Sequence, residues 1–125
     1  MTADWPQLLA IAEAEVRRTL RRLPGPVRDL ARALPVTYEP RPDEDAALDG
    51  YDPDLLGLFV GTPHGEDLSG AVDLPPQIIL YLDNLWDFSD SDESTYREEL
   101  RTTFLHELGH YLGLDEIDLE ERGLE

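Results

Sequence analysis

The stretch Leu100-Arg101-Thr102-Thr103-Phe104-Leu105-His106-Glu107-Leu108-Gly109-His110-Tyr111-Leu112-Gly113 decides how this chain reads. Leu100, Phe104, Leu108, Tyr111 and Leu112 recur at helical spacing. A step of roughly 100° per residue sets the centre of that apolar face nearly opposite His106 and His110. One side of the helix should therefore enter a core while both imidazoles face a cleft or solvent. Ser94 or Thr95 is the expected start, with Glu98 and Glu99 in the first turns. Gly113 supplies a C-terminal stop, because glycine tolerates a left-handed backbone.

Working outward from this helix, Gln77–Leu82 is the clearest strand, with Ile78, Ile79, Leu80 and Tyr81 inside it. Asp83–Ser94 between them reads as an acidic linker pinned by Trp86 and Phe88. Upstream, Leu55–Val60 and Val36–Glu39 are strand candidates, separated by an acidic loop over residues 43–54. Residues 61–76 read as a long loop rich in Gly, Pro and acids. At the start, Asp4 can cap a helix beginning near Trp5-Pro6, whose apolar positions are Leu8, Leu9, Ala12, Val16, Leu20 and Leu23. Pro24-Gly25-Pro26 ends it, and a short helix follows over Val27–Ala33. The expectation is a single α+β domain over residues 1–125. It has a small, mostly antiparallel or mixed sheet of three to four strands, an N-terminal helix and a C-terminal helix bearing His106 and His110.

Bulk properties narrow the function classes. The chain has 125 residues, a net charge of −18 and no cysteine. Such acidity opposes binding to nucleic acid or to anionic membrane surfaces. It is either a solvated surface or a field that attracts cations. Without cysteine there is no disulfide framework and no thiolate metal site. No apolar run is long enough to cross a bilayer, and Met1-Thr2-Ala3-Asp4-Trp5 does not read as a secretory signal. These features give a cytoplasmic expectation.

His106 and His110 carry the chemistry. Four residues apart on a helix, their rings share a face one turn apart and can hold one ion. Imidazole nitrogens suit Zn²⁺, at about 2.0–2.1 Å each. Glu107 is offset by about 100°. That is poor for a ligand but suitable for taking a proton from water held at the ion. A turn at Gly113 can return Glu116 to the same ion. Asp115 and Asp118 are neighbouring candidates less well placed by spacing. Two imidazoles and one carboxylate leave a fourth position open, as catalytic zinc requires.

The pattern His106-Glu107-x-x-His110-x-x-Gly113-x-x-Glu116 resembles the zincin superfamily of zinc metallopeptidases, in particular the metzincin and Asp-zincin branch. The short chain is similar to the small bacterial family of minimal zincin-like metallopeptidase domains. Leu55–Phe59, Gly61-Thr62-Pro63 and Ile78–Tyr81 are weaker matches. The resemblance implies a zincin-like fold, one Zn²⁺, His106, His110 and Glu116 as ligands and Glu107 as general base. It implies a peptide or protein substrate, which could pair with the Gln77–Leu82 strand. The sequence departs from the pattern in three places. Glu stands where His or Asp is usual at the third ligand. The only methionine is Met1, so no methionine turn exists. Little chain follows Glu116 to wall a substrate cleft. Two alternatives follow from that last point: a zinc-binding interaction module without turnover, or an enzyme whose cleft a partner protein completes.

Other residues read more plainly. His64, in a Pro/Gly loop, is expected to be exposed rather than a ligand. Tyr81 and Tyr111 could each donate to a transition-state oxyanion, although Tyr111 falls on the apolar face. Trp5, Phe59, Trp86 and Phe88 are expected to pack. The acidic runs around Asp83–Asp87 and Asp90–Glu93 lack a full calcium-loop pattern.

Overall fold

The computed structural model describes residues 4–61 and 75–113. Helix α1 spans Trp5–Arg21 and opens on a reciprocal cap. The Asp4 carboxylate accepts from the Gln7 N–H at 3.0 Å, and the Gln7 side chain accepts from the Asp4 N–H at 3.3 Å. Two donors that a helix start leaves orphaned are thus satisfied. After the Pro24 break, α2 runs Gly25–Arg32. Strand β1 is Val36–Glu39, and a short α3 covers Glu44–Leu48 inside the segment expected to be loop. Strand β2 is Gly57–Val60, beginning two residues later than its apolar run. Strand β3 is Gln77–Tyr81, and α4, Leu82–Phe88, follows it with no intervening turn. Helix α5 spans Glu93–Tyr111.

The three strands form one mixed sheet in the order β1-β3-β2. β1 runs parallel to β3, pairing Val36 with Ile78 and Glu39 with Tyr81. β2 runs antiparallel to it, pairing Gly57 with Leu80 and Val60 with Gln77. The fold is therefore α+β, with an N-terminal helix and a helix near the C-terminus that bears the two histidines. One expectation is corrected. β3 is central and hydrogen-bonded on both sides, so no peptide can add to it. Among the described residues the strand with a free edge next to α5 is β2.

The core lies between the sheet and helices α1, α4 and α5. Ile78 and Leu80, alternate residues of β3, are buried on one face with Leu8, Ala12 and Val16 of α1 and Leu100, Phe104 and Leu108 of α5. Each such leucine contributes about 1.5–3 kcal/mol by leaving water. Two polar contacts set the axial position of α5. The Tyr96 hydroxyl donates to the Leu8 carbonyl at 3.0 Å, and Arg97 lies 3.8 Å from the Glu15 carboxylate.

α4 replaces the expected acidic linker. Leu82 and Leu85 are buried, and Trp86 meets Tyr96 edge-on, centroids 5.4 Å apart. Phe88 does not pin the segment as expected; it is 60 % exposed at the helix end. Asp83 and Asp87 face Arg41, at 4.0 and 2.8 Å, rather than forming a calcium loop. Asp90 and Ser91 adopt left-handed backbones, φ 53° and 59°, which turn the chain into α5. The cap of α5 is Asp92, not Ser94 or Thr95. Its carboxylate accepts from the Thr95 N–H and hydroxyl at 2.9 and 2.7 Å. Among the described residues no helix is long and apolar enough to cross a membrane.

Candidate metal centre

The last two turns of α5 are buried around most of their circumference. Phe104, Leu105, Leu108, Gly109 and Tyr111 all leave solvent, and Phe59 of β2 packs on the Tyr111 ring. His106 is half-buried and His110 exposed, on the side left open. Their rings stand nearly perpendicular, 84° apart, and their Nε2 atoms converge to 3.1 Å. Two nitrogens bound to one tetrahedral zinc at about 2.0–2.1 Å lie about 3.3 Å apart. The imidazole pair is thus spaced to share one ion.

Glu107 lies on the margin of the apolar arc, as its helical offset requires. It is only 7 % exposed. Its Oε1 is 3.9 Å from His110 Nε2, and its buried Oε2 accepts no hydrogen bond. Burial raises its pKa above the usual carboxylate range, and the charged forms of His110 and then His106 pull against that rise. A buried carboxylate oxygen without a donor is costly, so its persistence points to use. His106, Glu107 and His110 each offer a ligand atom, all within 4.8 Å of one another. Among the described residues they are the one such group of three. Two nitrogen donors, a carboxylate and no thiolate suit a zinc site.

A family model described as zincin-like metallopeptidase matches residues 31–124. The chain belongs to the zincin-like metallopeptidase family. No curated protein matches it.

Within this zincin-like chain the structure brings together three of the four expected site residues. Glu116 lies outside the described residues, as do its neighbours Asp115 and Asp118 and the loop residue His64. Gly113 does adopt the left-handed backbone expected of it, φ +73°. Tyr81 is buried, and burial followed by Glu39, Asp43 and Tyr51 raises its pKa. Tyr111 is also buried, as its place on the apolar face predicted.

Sequence reasoning missed the wall beside the centre. A cavity of about 340 Å³ adjoins His106 and Glu107 and is lined by Leu55, Leu56, Gly57, Glu99, Thr102 and Thr103. A signal for it existed. Glu99, Thr103, His106 and His110 follow at i, i+4, i+7 and i+11, one polar stripe along α5. Gly57 explains why β2 comes so near: a Cβ there would sit 2.6 Å from Thr103 Cγ2.

Proposed function

We propose that the chain is a zinc-dependent peptidase, acting as a single domain over residues 1–125. His106 and His110 are ligands to one Zn²⁺, Glu116 is the third ligand, and Glu107 is the general base. The observation that carries this reading is the buried Glu107 carboxylate, whose Oε2 has no hydrogen-bond partner, beside two converging imidazole nitrogens. Bound zinc would polarise a peptide carbonyl and make water acidic near neutral pH. The Glu107 carboxylate would serve as the base that accepts a proton from water and passes it to the leaving amine. His106 and His110 would hold the ion through the Nε2 atoms that face each other. An extended peptide would pair with the edge of β2 that is unpaired among the described residues, passing the cavity at Leu55–Gly57.

Metal analysis of the purified chain should find close to one zinc, and a peptide-library digest should show cleavage that Glu107→Gln abolishes. A wild-type chain that keeps its zinc and cleaves nothing would shift the reading to an interaction module. Cleavage restored only within a native complex would indicate a cleft completed by a partner.

A further inference from the structure

We propose that the cavity beside His106 receives a basic side chain, lysine or arginine, of a bound peptide, with Glu99 as its counter-ion. The proposal rests on the peptidase reading for its peptide, and on the cavity for its chemistry. Leu55 and Leu56 give the cavity an apolar wall, and Thr102 and Thr103 add hydroxyls. Such walls suit the aliphatic stem of a long cationic side chain, whose charged head seeks a polar end. Glu99 supplies that end. It stands two turns before His106, about 10 Å along the helix axis. That separation matches the reach of a long side chain together with one charge-assisted hydrogen bond.

The carboxylate is also available. Among the described residues Glu99 makes no ion pair or hydrogen bond, whereas its neighbour Arg97 is taken up by Glu15 at 3.8 Å and Glu93 at 3.5 Å. Arg101 points away, about 160° around the helix from Glu99. A net charge of −18 adds a long-range field that draws cationic peptides toward the chain.

The test uses the zinc-loaded full chain and two fluorescent peptides, an alanine–glycine nonapeptide with one central arginine and its citrulline twin. Cleavage is followed with the wild type and binding with Glu107→Gln, so that binding does not depend on turnover. Arginine should be preferred over citrulline, and Glu99→Gln should cut the preference by roughly tenfold. Glu98→Gln removes the same charge from an exposed neighbour and should leave the preference intact. Binding that keeps its Glu99-dependent preference while nothing is cleaved supports this site and counts against cleavage by the isolated chain. Cleavage without that preference keeps the peptidase and overturns the site. Equal effects of Glu98→Gln and Glu99→Gln, or no binding of the arginine peptide, also overturn it.

Discussion

The two ends of α5 treat their polar groups in opposite ways. At the first turns the Asp92 carboxylate accepts two hydrogen bonds from Thr95, and Arg97 sits between Glu93 and the buried Glu15. At the last turns Glu107 is as buried as Glu15, 7 % against 6 % exposed, but its Oε2 meets no donor. Beside it two imidazole nitrogens stand 3.1 Å apart. One end spends its polar groups on holding the helix. The other leaves the Glu107 Oε2 atom without a donor, a perturbed carboxylate of the kind that gathers at functional sites. At the two ends of one continuous helix, two equally buried carboxylates thus differ in whether a donor meets them.

The largest test of this contrast is Glu107→Gln, which keeps size and removes the base. Turnover should fall by about 10²- to 10⁴-fold with zinc stoichiometry unchanged. Steady-state kinetics alongside metal analysis would read both quantities. A variant retaining more than a tenth of the wild-type rate would exclude Glu107 as the base.

Next in size is Gly57→Ala, which presses on the centre from the strand side. The added Cβ would meet Thr103 Cγ2 at 2.6 Å and the Ile79 carbonyl at 3.3 Å. Overpacking of this kind costs about 1–3 kcal/mol. Adding Thr103→Ser removes the methyl and should recover part of the loss, a coupling that a double-mutant cycle in denaturant would measure.

Smaller again is Arg97→Ala at the structural end. It strands Glu15 without its cation, but Arg97 is more than a third exposed, so water screens much of the pair. The expected loss is about 1–2 kcal/mol in denaturant midpoints, with cleavage rates unchanged. A variant that lost activity without losing stability would show that the two ends are not independent.

Much of this contrast is legible in the amino-acid sequence alone. The apolar period of α5, its Gly113 stop and the placement of both histidines opposite the apolar face all follow from helical geometry. The presence of a small sheet follows from short β-branched and aromatic runs, whereas those runs leave its pairing open between mostly antiparallel and mixed. Three features resist such reading, each for a physical reason. α4 holds only Leu82, Leu85 and Trp86 as apolar inward positions, beside the buried Asn84, too few turns for a period to stand out among Asp83 and Asp87. The central place of β3 depends on pairing with segments far along the chain, which local pattern does not encode. The burial of Glu107 runs against the rule that carboxylates stay exposed, and such violations gather at functional sites. The wall at Glu99 is readable as a stripe on the helix, but a stripe becomes a cavity only when β2 is known to lie across it.

The smallest effect distinguishes the two ends by sign rather than size. Hydrogen bonds from the Thr95 hydroxyl and then its backbone N–H hold the Asp92 pKa below its ordinary 3.8. A carboxylate lowered in the fold stabilises above its unfolded value, and that support is lost as pH falls through the folded one. Burial lifts Glu107 above its ordinary 4.5. Its contribution runs the other way, complete below the unfolded value and lost as pH rises through the raised folded one. Thermal midpoints of the metal-free chain should therefore separate the variants. Asp92→Asn still caps the helix but lacks the charge. It should melt below the wild type at neutral pH, with the gap closing below about pH 4. Glu107→Gln should match the wild type near pH 4.5 and rise above it as pH increases. Parallel profiles for the two variants would mean that the ends of α5 hold their carboxylates alike, and the contrast between a satisfied end and an uncommitted one would fail.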